Sequence, residues 1–235
     1  MNLDTRQIWD SFLFALSFVP QTLVLTFVPF LVTLVLGGLI AIIRVLKIPV
    51  LAQLLTIVVA VFKGIPIYLF LIFSFLLMTM YFNPFMESLG SPIRQKNVSP
   101  LLFAAVILSI AFTPAMSDVL RGAILSVDQG QYEAAATAGL TTGQTFRRII
   151  IPQVVPAAIP NVTNMLIGIM KGSALGYSVG VTDVLSASIR DASAAYDIIE
   201  AYIAAAVIYW AMSIIIERLM GLLARHAGRF RNTIG

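Results

Sequence analysis

Long apolar stretches dominate the chain, and charged residues fall between them. Charge-free runs cover residues 22–43, 64–86, 97–117, 149–170 and 201–216, each near the roughly 20 residues that a helix needs to cross a bilayer. A chain in hydrocarbon must pair its backbone groups internally, which leaves helix bundles and closed barrels, and unbroken runs of this length select helices. The expected fold class is therefore all-α: a polytopic membrane helix bundle of five spans. Residues 48–62 are also apolar and are parted from the second run only by Lys63, so one long helix is expected there rather than a sixth span. Residues 8–19 carry Trp9, Phe12, Phe14 and Phe18 beside Asp10, the pattern of a helix lying at the membrane interface. The division that follows is an N-terminal interfacial segment at 1–21, a transmembrane domain at 22–224 and a basic tail at 225–235. The start of the chain mixes both charge signs, with no small-residue cleavage site after a basic stretch, so no removable signal peptide is expected.

Composition narrows the function. Hydrophobic residues make up 59% of the chain and charged residues 11%, against about 25% charged in soluble domains, which excludes a soluble globular domain. The net charge of +4 comes from scattered basic residues without interleaved aromatics, so a nucleic-acid partner is not indicated. With no cysteine and one histidine, His226, thiolate or multi-histidine zinc sites and thiol catalysis are excluded. An intramembrane enzyme also needs convergent catalytic groups, and no acidic cluster lies at helical spacing inside a span. The expectation is no catalytic site, no metal and no cofactor bound by this chain. Basic residues instead report topology: Arg44, Lys47, Arg147, Arg148, Arg218, Arg225, Arg229 and Arg231 fall on one side, and Arg6, Arg94, Lys96 and Arg190 on the other. Placing the richer side inside puts the N-terminus outside and the C-terminus in the cytoplasm.

The segment 128–152 is then cytoplasmic, and its composition is unusual for a connector. It reads as two short helices. Gly139 suits the end of the first, since glycine takes the left-handed conformation readily, and Thr141 with Gln144 has the spacing of a capping box at the start of the second. The alanines at 134, 135, 136 and 138 make a slim helix able to seat in a groove on another protein, although an ordinary amphipathic loop helix fits equally well on physics alone.

Glu133-Ala134-Ala135, then Gly139, then Ile149, then Ile151-Pro152, resembles the EAA motif of permease subunits in bacterial binding-protein-dependent ABC importers, with Ile151 where the family usually has leucine. Further segments are similar to its polar amino acid branch: Lys63-Gly64-Ile65-Pro66, Asp118 through Arg121-Gly122, Gln129 to Ala135, and Lys171-Gly172-Ser173-Ala174-Leu175. Lys63, Asp118, Ala174 and the Pro114-Ala115 pair depart from that branch. The resemblance covers about residues 19–220 and implies an amino acid importer of the bacterial cytoplasmic (inner) membrane. Its implied partners are a second permease chain, identical or different, a cytoplasmic ABC ATPase dimer that binds ATP and Mg, and an extracytoplasmic solute-binding protein. Glu133, Ala134, Ala135, Gly139, Ile149 and Pro152 would form the ATPase-coupling site. This agrees with the lack of a phosphate-binding Gly-x-x-x-x-Gly-Lys-Ser/Thr loop in the sequence. The alternative is an ATP-independent channel or carrier, which has no use for such a loop.

Ionisable residues at membrane depth are costly and mark functional sites or buried pairs. Lys63, Asp118, Arg121 and Lys171 qualify. Asp118 and Arg121 stand three apart on a helix and are expected to pair. Lys63 precedes Gly64 and Pro66, which loosen a helix and free carbonyls. Lys171 is followed by Gly172 and Ser173 in a stretch too polar to face lipid. Pro152, Pro156 and Pro160 recur along one face of the fourth span, with Asn161 and Asn164 beyond. Together Lys63, Gly64, Pro66, Asp118, Arg121, Asn161, Asn164, Lys171 and Ser173 are the candidate pathway residues. Between residues 180 and 200, Asp183, Asp191, Asp197 and Glu200 outnumber Arg190, and they are expected in an outer loop that is either simply solvated or part of the surface that meets the binding protein.

Overall fold

A computed structural model describes residues 4–193 and 198–229; the side chains at 191–193 and 228–229 are outside the description. Helix α1 (Thr5–Leu16) is capped by Asp4, whose carboxylate accepts from the amides of Arg6 and Gln7 at 2.9 and 3.3 Å. It buries Ser11 and Ala15 and packs against two later helices, α9 (Val184–Ser193) and α10 (Ile198–Arg229). The Asp4 amide also donates to Glu200 at 3.3 Å, tying the two helix starts together.

Among the described residues, five helices are long and apolar enough to cross a membrane. They are α2 (Val19–Val45), α4 (Ile67–Ser88), α5 (Pro100–Leu125), α8 (Ile151–Ser173) with its short flanking turns, and α10. The core is built on α2 against α5. At Gly37 a Cβ would meet Met116 Cγ and the Ser117 amide at 3.0 Å, so the backbones approach as closely as small residues at a membrane helix interface permit. Thr26, Thr33, Ser109 and Thr113 are buried and bond back to carbonyls of their own helices, which satisfies their hydroxyls without a distant partner. Gly172 near the end of α8 lies against Phe112 of α5, where a Cβ would stand 2.9 Å from the ring.

The single long helix expected from residue 48 onward is not present. The segment divides into α3 (Leu51–Gly64) and α4, with Ile65 extended at φ −90° and ψ 123°. Pro66 is the cause: its ring excludes the helical conformation for the preceding residue, and it has no amide to donate back into the ladder. Phe62 and Phe70 stack edge-to-face across the break, their rings 5.6 Å apart. Two further differences lie at the ends. Helix α2 begins at Val19, and α10 runs to Arg229, so the first residues of the basic tail continue the last span.

Candidate functional site

The segment between α5 and α8 folds as two short helices. In α6 (Gln129–Thr137), Asp128 caps the start by accepting from the Gly130 amide. The end is closed by Gly139 at φ +75°, with the Leu140 amide bonding Ala135 O and the Gly139 amide bonding Ala136 O. That double bond pattern is a Schellman closure. Thr141 and Gln144 form the reciprocal capping box of α7 (Thr142–Thr145), with bonds of 2.9 and 3.3 Å. A single π-helical turn, Phe146–Ile150, leads into α8, where the Ile151 amide reaches back five residues to Phe146 O. The wider turn falls where Pro152 withdraws a donor from the ladder.

Glu133 and Ala134 are exposed, as are Gly139 and Pro152; Ile149 is half-buried. Ala135 is 1% exposed and faces the chain's own body. Of the two alanines expected to admit a partner, only Ala134 faces outward. The unit is braced by Tyr132 against Phe146, rings 6.2 Å apart, and by Gln153, whose amide donates to Gln131 and to Ile149 O. Burial pushes the Tyr132 phenol above its ordinary pKa.

At membrane depth the expected Asp118–Arg121 pair is replaced by another arrangement. Asp118 Oδ1 accepts from Arg44 Nη1 of α2 at 2.7 Å, and Oδ2 accepts from Lys63 Nζ of α3 at 2.5 Å. Arg44 also donates to Ser117 at 3.2 Å. Helix packing brings residues 74 and 55 positions away to the carboxylate, while the Arg121 Nε is buried without a partner. Gly64 and Pro66 form the break immediately after Lys63. A cavity of about 190 Å³ opens at this break, against α5 and α8.

Along α8, Asn161, Asn164 and Lys171 are exposed, with Gly168 half-buried between them. At 3.6 residues per turn these positions share one stripe of the helix. Beside it runs a groove of about 570 Å³ between α8 and α10, lined by Lys171, Tyr202, Trp210, Ser213 and Glu217 among others. Ser173 is not part of this face: it is fully buried, and its hydroxyl bonds Met170 O at 2.7 Å. The segment after it forms a 3₁₀ turn, Ala174–Val179, closed by Gly180 at φ +86°.

The acidic segment also departs from expectation. Asp183 is fully buried and Glu200 is 7% exposed, so neither is presented to a docking partner. Asp197 lies outside the described residues, as does the side chain of Asp191. Asp183 accepts from the Ser186 amide at 3.0 Å, from its hydroxyl at 2.9 Å and from the Tyr209 hydroxyl at 2.7 Å. The Ser186 hydroxyl in turn bonds the Asp183 amide. This is a helix cap, signalled in the sequence by Asp183-x-x-Ser186, the reciprocal spacing read at Thr141 and Gln144. Tyr209 and Arg44 carry no comparable local signal.

Comparison with known proteins identifies the family. Residues 33–229 match the family described as the binding-protein-dependent transport system inner membrane component. The chain is 33% identical over 80% of its length to a probable amino-acid ABC transporter permease protein, PatM, of Vibrio harveyi, covering 79% of that relative. It is 31% identical over 86% of its length to the L-cystine transport system permease protein TcyL of Bacillus subtilis (strain 168), covering 82% of it. A solved structure described as an amino acid ABC transporter with histidines superposes with a TM-score of 0.78 at 25% identity, over 96% of this chain and all of that one. The chain is thus a multi-pass membrane protein and belongs to the family of inner-membrane components of binding-protein-dependent transport systems.

Proposed function

We propose that this chain is the permease subunit of an ATP-driven amino acid importer, and that α8 links its two working parts. One observation carries the reading. The second half of the loop that would meet the ATPase is continuous with the polar stripe that would line the pathway, in one helical run from Thr142 to Val179, and α6 with Glu133 is braced against that run through Tyr132–Phe146 and Gln131–Gln153. Asn161, Asn164 and Lys171 are unsuited to lipid, so a second permease chain, identical or different, covers that stripe and the solute passes between. ATP and Mg are bound by a cytoplasmic ATPase dimer, and this chain contributes no catalytic group. Glu133 and Ala134 form the outward contact to the ATPase; Ala135, Gly139, Ile149 and Pro152 hold the shape of the loop. Movement of the loop tilts α8 and switches the stripe between the two sides of the membrane. An extracytoplasmic binding protein delivers the amino acid, with the N-terminus outside and the C-terminus in the cytoplasm. The family match runs against an ATP-independent channel.

The test is ATP hydrolysis in proteoliposomes holding this chain and its co-purified ATPase, with a solute-loaded binding protein added. Stimulation in the wild type, lost in Glu133→Arg with the assembly intact, is the expected result. No associated ATPase, or a silent Glu133→Arg, would overturn the reading.

A further inference from the structure

The cavity at the α3–α4 break has a chemistry of its own. Its walls are mainly apolar, with three phenylalanines, Phe62, Phe70 and Phe112, beside Ala115 and Met165, and among the described residues Lys63 is the one charged residue lining it. Its volume, about 190 Å³, is below the 300–1,000 Å³ of drug-sized ligand sites and suits a smaller solute. The charge balance around Lys63 is uneven. Asp118 is shared with Arg44, whose side chain is only 9% exposed and cannot be left without its counter-ion, so Arg44 has first claim on the carboxylate. Lys63 is then the surplus cation. Its ammonium has three donors, of which Asp118 takes one, and its side chain is 47% exposed. Helix α3 ends beside it at Gly64, with the Ile65 amide bonding Phe62 O, so the negative end of the helix lies at the cavity's lining residues Phe62, Lys63 and Ile65.

We propose that this cavity is a solute subsite in which Lys63 takes the carboxylate of an amino acid, the apolar walls take an uncharged apolar side chain, and basic side chains are turned away. The inference rests on the importer reading and deepens it by naming the solute's chemistry. The negative end of α3 favours the α-ammonium group. A basic side chain would enter a cavity with no lining carboxylate and a cation at its rim, and burial of an unpaired charge excludes it.

Equilibrium binding of radiolabelled leucine to the purified complex of this chain with its co-purified ATPase tests the proposal, without the binding protein. Leucinamide, which lacks the carboxylate, and arginine are competitors. Leucine should bind, and leucinamide and arginine should each be at least about tenfold weaker, the scale of one charge-assisted hydrogen bond. Lys63→Gln should weaken leucine by a similar factor, Lys63→Arg should retain it, and Ala115→Phe should abolish binding by filling the cavity. Should Lys63→Gln fail to assemble, the wild-type comparison of leucine with leucinamide decides alone. Equal binding of leucine and leucinamide, arginine binding as tightly as leucine, or indifference to Ala115→Phe would overturn the subsite. If the wild-type complex hydrolyses ATP without response to any loaded binding protein, the importer reading falls and the subsite with it. A responsive complex whose leucine binding ignores the carboxylate would sink the subsite alone.

Discussion

Asp118 and Asp183 are both carboxylates inside the bundle, and their surroundings differ in kind. Asp118 on α5 is met by two cations brought from α2 and α3. Asp183 ahead of α9 is met by neutral donors, the Ser186 amide and hydroxyl and the Tyr209 hydroxyl. The first arrangement is a charge cross-link with one half-exposed arm, open to salt and to competing anions. The second is fully buried and carries no partner charge to screen. The attachment of α3 to the core is therefore adjustable, whereas α9 is pinned to α10 through a fully buried carboxylate.

Substitutions separate the two cases, with thermal unfolding of the purified chain in detergent as the common measurement. Asp118→Leu has the largest expected effect, a loss of about 3–5 kcal/mol, because it strands the buried Arg44 guanidinium. Replacing Arg44 by Met in the same chain should restore most of that loss; no restoration would show that Asp118 has another role. Asp183→Ala follows at about 2–3 kcal/mol, with the Ser186 and Tyr209 donors left unsatisfied, and should be nearly independent of salt. Salt sensitivity as steep as that of Asp118→Leu would break the contrast. Tyr209→Phe removes one of those donors and should cost about 1 kcal/mol. Lys63→Met should cost the least, under about 1 kcal/mol and vanishing at high salt, since its pair with Asp118 is half-exposed.

Legibility in the sequence followed the distance between partners. The turns between α5 and α8 were readable because their determinants are local: Gly139 closes α6 at positive φ, and Thr141 and Gln144 cap α7 from three residues apart, whereas the burial of Ala135 depends on packing. The five spans were readable because apolar length is itself local. The break at Ile65 had its signal in Pro66, but the apolar run on both sides outweighed it. Asp118 offered only Arg121 at helical spacing, while its actual partners come from other helices and depend on how α2, α3 and α5 pack. Asp183 and Glu200 read as surface charges because nothing nearby in the sequence reveals Tyr209 or the α1 start that covers them. Lys171 and the two asparagines were identified by polarity alone, and the stripe they share needed only the helical repeat.

The crossing of α2 over α5 at Gly37 has a practical consequence. A methyl group at Gly37 would press on the Met116 side chain and the Ser117 amide at 3.0 Å, so the crossing has little slack and the two helices are expected to travel as one body. Labels on their exposed faces, at Leu39 and Ile110, should then hold a constant separation through every nucleotide state. That pair supplies a fixed ruler, against which spectroscopic displacements of α4 or α8 can be measured.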